Sequence, residues 1–200
     1  MSETEQYTSD DHQQFEKDWW STCLTTFGEE AKQISYAYRM GLQVVPVYGG
    51  HWPVYDLQGK SVVDIGGGPV SMLLKCVNRG ACAVVDPCQY PEWVAQRYME
   101  AGITVYRKPA EDFHPTSDYD EAWIYNCAQH VEDPERIFRQ MREYASVIRV
   151  FEWIETPPTL GHPHTLHASD LDEWLGGKGT IENINENGAV GLCYYGVFGA

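Results

Sequence analysis

The sequence predicts an α/β domain built on a mainly parallel sheet with helices on both faces. Three observations predict it. From Ser61 onward, short apolar runs alternate with helix-period stretches. The strand-like runs are apolar at consecutive positions, as strands buried on both faces require. Near the end of the chain, two further strand-like runs flank Asn187-Gly188, a turn signal for an antiparallel hairpin.

Taken in order, residues 13–40 read as helix, because Phe15, Trp19, Trp20, Cys23 and Leu24 recur at three- and four-residue steps. Gly28 interrupts the pattern, which resumes through Ala31, Ile34 and Tyr38 and stops at Gly41. Residues 44–58 contain Pro46, Gly49, Gly50 and Pro53 and read as an irregular connection. A first strand follows at 61–65, a helix at 70–79 and a second strand at 81–85. Pro91 opens a helix to Ala101, since proline's fixed φ suits a first helical turn. Strands are expected at 103–106, 121–125 and 147–154, with a helix from Pro134 to Tyr144 between the last two. A loop at 157–161, a short helix capped by Ser169 and strands near 179–184 and 190–198 complete seven strands. The division expected is an N-terminal helical cap or lid at 1–58 on a core at 59–200, forming one domain.

Composition narrows the function classes. Two hundred residues make about one domain, large enough to bury a core without cross-links. The formal net charge of −15 and the scattered basic residues disfavour a nucleic-acid partner. No apolar run approaches a membrane span, and the polar, acidic first twelve residues read as a loose end rather than a signal peptide. Six cysteines without a Cys-x-x-Cys pair read as reduced thiols, so a cytoplasmic protein is expected. Nothing in the pattern specifies an oligomer.

The chemistry concentrates at Asp64-Ile-Gly66-Gly67-Gly68, a glycine turn between strand and helix. Glycine there permits a sharp turn and lets a ligand approach the main chain, while a helix N-terminus behind it offers free amides. Asp86 ends the next strand, where a carboxylate can accept both ribose hydroxyls of an adenosine ligand. A dinucleotide fingerprint needs a later glycine where Ser71 stands, and Asp64 beside the turn opposes a pyrophosphate. A carboxylate there suits a cationic ligand, a sulfonium amino acid such as S-adenosylmethionine.

At these residues the sequence resembles the class I, Rossmann-like S-adenosylmethionine-dependent methyltransferases. Val62-Val-Asp-Ile-Gly-Gly-Gly-Pro-Val70 is similar to their glycine motif, with Val70 replacing the final glycine. Val84-Val-Asp-Pro87 resembles the acidic motif that binds the ribose, and Ala110-Glu-Asp-Phe113 the segment that meets the adenine. Tyr125 to Pro134 resembles the fourth motif. The resemblance spans about Lys60 to Glu155. It implies a cofactor site of Asp64, Gly66, Gly67, Gly68, Asp86, Pro87, Glu111, Asp112, Asn126 and Cys127, with S-adenosylhomocysteine as product.

The acceptor is expected to be a small molecule methylated on oxygen or nitrogen. His130, His164 and Glu155 are the candidates for catalysis, since imidazole can act as a base near neutral pH; His130 reads equally as a packing or capping residue. Glu152 and Glu155 alternate to opposite faces, with Glu155 nearer the mouth. Lys32 and Tyr36 share a helix face and, with Gln129, His162 and His167, are candidates for substrate contact. The run 161–167 holds three histidines but no Cys or carboxylate at a familiar ligand spacing, so no metal is assigned. Trp19 and Trp20 read more readily as packing residues than as walls of the site. The alternatives are a NAD(P)-dependent oxidoreductase and a non-catalytic S-adenosylmethionine-binding protein. No Asn/Asp-Pro-Pro-Tyr/Phe segment follows the fourth strand, which argues against methylation of adenine or cytosine bases.

Overall fold

The computed structural model describes residues 8–20, 23–46 and 53–199. Helix α1 (Ser9–Trp19) begins at Thr8, which forms a reciprocal capping box with Asp11. The loose start expected for twelve residues therefore gives way to helix at Ser9; residues 1–7, like Gly49 and Gly50, lie outside the described part. Helix α2 (Cys23–Arg39) continues through Gly28, whereas α1 ends at Trp19 with Trp20 as its C-cap. One glycine costs a helix only about 1 kcal/mol, which tertiary packing overrides. Gly41 does end the segment, at φ +69°.

The stretch read as irregular contains two short strands, β1 (Val44–Val45) and β2 (Val54–Asp56). They join β4 (Cys76–Val77) in a small three-stranded sheet. The main sheet has seven strands. In chain order these are β3 (Val62–Ile65), β5 (Cys82–Val85), β6 (Ile103–Tyr106), β7 (Tyr119–Tyr125), β8 (Ala145–Trp153), β9 (Thr180–Glu186) and β10 (Ala189–Gly199). Their spatial order is β6-β5-β3-β7-β8-β10-β9, with β10 antiparallel to both neighbours and the rest parallel. Every residue of β3 and β5 is buried, as the unbroken apolar runs imply. Asn187 and Gly188 turn the final hairpin with positive φ at both positions.

Helices α3 (Glu92–Glu100), α4 (Pro134–Tyr144) and α5 (Ala168–Leu175) complete the layers. One core gathers Ile137, Phe138, Met141 and Leu171 of α4 and α5 against the sheet, and the other gathers Tyr36, Val94 and Tyr98 of α2 and α3, with Met40 just past the end of α2. His167, not Ser169, is the N-cap residue of α5.

The helix expected over 70–79 does not form. Two 3-10 turns, Gly68–Val70 and Met72–Lys75, lead into β4 instead. Ser71 between them is extended (φ −49°, ψ 144°), and side chains capture the amides a helix would have used. Ser71 N donates to Tyr98 Oη at 2.8 Å, and Met72 N to Tyr125 Oη at 3.0 Å.

Two anchors set α2. Arg39 forks onto Glu182 of the hairpin and also meets Glu186, and Gln33 Nε2 donates to the Val70 carbonyl at 2.8 Å. At the amino ends of the strands, buried Glu121 accepts from Lys60, Trp123 and Arg149. That leaves the carboxyl ends of the strands for α1 to cross. Among the described residues, no helix is long and apolar enough to cross a membrane.

Candidate active site

The sheet order reverses between β3 and β7, so the loops leaving these strands part and open a crevice at their carboxyl ends. Gly66 leaves β3 at φ +69°, and a Cβ there would lie 2.0 Å from Cys127 Sγ. Glycine is required twice over, by backbone conformation and by the close approach of the loop after β7. A Cβ on Gly67 would meet Asp64 Oδ2 at 2.8 Å, so this glycine closes over the aspartate beneath it.

Asp64 is fully buried under the turn, where Oδ2 accepts from Ser71 Oγ (2.5 Å) and Tyr125 Oη (2.6 Å). Burial pushes its pKa up to about 7 against these hydrogen bonds. The turn's own amides are also engaged. Gly68 N donates to Asp86 Oδ2 at 2.9 Å, and Cys88 N to Oδ1 at 2.8 Å. Burial raises Asp86 to about 6, with those two amides pulling the other way.

The loop after β7 is built just as firmly. Asn126 adopts φ +49°, and the amides of Cys127 and Ala128 both donate to Glu152, which is buried on β8. Burial lifts Glu152 to about 7. Glu111 Oε1 accepts from Glu132 N (2.9 Å) and Asp133 N (3.1 Å), tying the loop after β6 to the start of α4.

Between these loops and α1 lies a cavity of about 650 Å³, the size of a small-molecule site. Its floor includes Gly66, Gly68, Asp86, Asn126 and Cys127. Its roof is α1, through Phe15, Glu16 and Trp19, with Trp20 just beyond, and its far wall is Trp153 and the loop 159–164. Phe15 sits against Gly161, and His12 Nδ1 meets the Leu160 carbonyl, so the roof is fastened to that loop. Among the described residues, five carboxylates line the space (Glu16, Glu29, Asp86, Glu111 and Glu132) against one lysine, Lys32, which pairs with Glu29. The imidazoles of His130 and His162 meet edge to face at 4.6 Å. Burial and the neighbouring His130 depress His162 to about 4, so it is neutral near pH 7.

No protein-family model and no curated protein matches the sequence. Solved structures do match its fold. Magnesium protoporphyrin IX methyltransferase from Synechocystis PCC 6803 with bound SAM superposes at TM-score 0.61, with 11% identity over 99% of this chain and 100% of that one. The Burkholderia thailandensis 1,6-didemethyltoxoflavin-N1-methyltransferase, with its substrate and S-adenosylhomocysteine, gives 0.60 with 13% identity over 99% and 92%. DhpI bound to SAH gives 0.60 with 11% identity over 96% of each chain. The chain has the class I methyltransferase fold.

On this methyltransferase frame, the cavity brings together most of the expected cofactor residues: Gly66, Gly68, Asp86, Pro87, Glu111, Asn126 and Cys127. Asp64 and Gly67 lie behind the turn and support it from beneath. Asp112 points to solvent from the opposite side of its 3-10 turn, leaving Glu111 as the inward carboxylate. Of the catalytic and substrate candidates, His130, His164, His162 and Lys32 line the cavity.

Four others do not. Tyr36 is buried in the core, stacked on Phe151 at 4.2 Å, because the face it shares with Lys32 dips into the sheet. Gln129 is buried and occupied locally, donating to Asn126 Oδ1 at 3.2 Å. Glu155 and His167 pair with each other at 2.9 Å on the surface, past the end of β8 and outside the cavity. Trp19 and Trp20, expected as packing residues, line the cavity. Glu16, Glu29 and Trp153 escaped sequence reasoning, since polar helix positions and a strand-end tryptophan carry no motif. Among the described residues, no group of three or more His, Cys, Asp or Glu side chains is placed to hold a metal ion.

Proposed function

We propose that the protein is a cytoplasmic S-adenosylmethionine-dependent methyltransferase acting on a small-molecule oxygen or nitrogen acceptor. The observation that carries the reading is the electrostatic character of the crevice. A pyrophosphate needs free amides at the glycine turn, and here the Gly68, Ser71 and Met72 amides are held by Asp86, Tyr98 and Tyr125. Carboxylates outnumber lysines and arginines among the described residues of the lining, which suits a ligand carrying sulfonium and ammonium charges. The nicotinamide alternative is disfavoured on both counts.

The residues present fit such a cofactor. Asp86 retains lone pairs on both oxygens after accepting two amides, enough to accept ribose hydroxyls. Gly66 and Gly68 leave backbone open to close approach, and Asn126 and Cys127 present main chain held rigid by Glu152. Glu111 and Ala110 border the end of the cavity assigned to adenine. When bound, the cofactor supplies an electrophilic methyl group whose transfer needs chiefly orientation of the acceptor.

The chain's remaining tasks fall to α1 and the histidine loop. Phe15, Trp19, Trp20 and Trp153 provide apolar walls for the acceptor and exclude water from it. His164, half-buried in the wall and held by its amide to the Gln129 carbonyl, is assigned to remove the acceptor's proton. The test is incubation with methyl-labelled S-adenosylmethionine and a panel of phenols, heteroaromatic amines and carboxylic acids. Transfer of label to at least one, reduced tenfold or more by His164→Gln with cofactor affinity intact, is expected. Cofactor binding without transfer to any acceptor would favour the non-catalytic alternative.

A further inference from the structure

We propose that Glu16 and His130 are positioning residues, a proton-dependent clasp that holds helix α1 over the cavity. Glu16 lies on α1, and His130 lies in the loop between β7 and α4. Their side chains meet at 3.2 Å between Oε1 and Nδ1, with only about a fifth of each exposed. The pair is within ionic contact while His130 Nδ1 finds no hydrogen-bond partner among the described residues, so its attraction is strongest when the imidazole is charged. This is a different task from abstracting the acceptor's proton. A base must be free toward the acceptor, whereas this ring has Glu16 on one side and the Gly161 backbone on another.

The groups around the ring agree with this role. Glu16 faces it from α1, His162 from the loop 159–164, and buried Glu152 from β8; Lys32 of α2 lines the same cavity. Burial works against the imidazolium, and the two carboxylates with the Gly161 backbone outweigh it, so His130 titrates above its ordinary value. His162, displaced the other way, stays neutral and does not compete for Glu16. The clasp is therefore closed when His130 is protonated and loosens as pH rises through the raised His130 pKa. Further α1 contacts, Phe15 on Gly161 and His12 on the Leu160 carbonyl, are made to the neighbouring loop 159–164. Releasing the clasp thus removes one of the ties that hold the aromatic roof, Phe15, Trp19 and Trp20, over the cavity.

The test uses the ligand-free protein, so it does not depend on the methyltransferase reading. Amide hydrogen exchange across α1, corrected for the intrinsic pH dependence, is measured from pH 6 to 9, while His130 is titrated by NMR. Protection of α1 is expected to fall about two- to fivefold as His130 loses its proton, the range for a partly exposed ion pair. Glu16→Gln should lower the His130 pKa and remove the pH dependence, whereas Glu16→Asp should restore part of both. His130→Asn should give the loosened α1 at every pH, with protection of α4 unchanged as the control for folding. Protection of α1 that is independent of pH in the wild type, or a His130 titration unmoved by Glu16→Gln, would overturn the clasp. Failure to bind S-adenosylhomocysteine would overturn the methyltransferase reading and leave the clasp standing.

Discussion

Replacing Gly66 by alanine tests the geometry of the glycine turn most sharply. The backbone there sits at φ +69°, which costs a residue with a Cβ about 1–2 kcal/mol. The added carbon would also stand 2.0 Å from Cys127 Sγ and 2.9 Å from Cys127 Cβ. Both atoms belong to a loop pinned by Glu152, so it cannot retreat freely, and overpacking of this kind costs about 1–3 kcal/mol more. Gly66→Ala should therefore destabilise the protein by about 2–5 kcal/mol, a loss of roughly 4–20 °C in Tm for a domain of this size. Urea denaturation of Gly66→Ala, Cys127→Gly and the double variant forms a cycle. Because Cys127→Gly removes both clashing atoms, the double variant should recover the overpacking component, giving a favourable coupling of about 1–3 kcal/mol. The backbone component should persist. A Gly66→Ala protein within 0.5 kcal/mol of wild type, a difference of about the error of additivity, or a strictly additive cycle, would refute the reasoning.

Other outcomes follow from the buried carboxylates. Asp64, Asp86 and Glu152 titrate near 7, 6 and 7, above their ordinary values, so the folded state holds more protons than the unfolded one between about pH 4 and 7. Their contribution to stability falls as pH rises through that window. Glu121 runs the other way: burial opposes ionisation, but Arg149, Lys60 and Trp123 hold it down to about 2, so its contribution is lost only as pH falls toward 2. Urea midpoints should thus be higher near pH 5 than near pH 8, and Asp64→Asn should flatten the slope; a rising trend from pH 5 to 8 would contradict this. Asp86→Asn should weaken S-adenosylhomocysteine binding by about 10- to 150-fold, the equivalent of about 1.5–3 kcal/mol for charged hydrogen bonds, read by calorimetry against an unchanged fold. Glu152→Gln should loosen the amides of Cys127 and Ala128, detected as faster hydrogen exchange at those two residues.

Much of this was legible in the sequence because burial on both faces leaves no alternative to an apolar strand. The helix from Pro134 to Tyr144 was readable to the residue, since Asp133 caps it and proline opens it. The segment after the glycine turn was not. Its residues have a helical apolar period, but Tyr98 and Tyr125, distant in the chain, take its amides. In the sequence Asp64 stands two residues before the first glycine of the turn, yet only the fold reveals that it is buried and that Gly67 shields it. Tyr36 and Lys32 show the limit of helix spacing, since neighbours on one face divided between the core and the cavity rim. Glu16 carries no motif at all, and its position over His130 arises solely from how α1 crosses the sheet.

The central claim is that this crevice takes S-adenosylmethionine and its product rather than a dinucleotide. Isothermal titration of the full chain with S-adenosylhomocysteine and, separately, with NADH tests it directly. One-to-one binding of S-adenosylhomocysteine, weakened in Asp86→Asn, with no heat from NADH is the predicted result. Saturable binding of NADH with none of S-adenosylhomocysteine would contradict it.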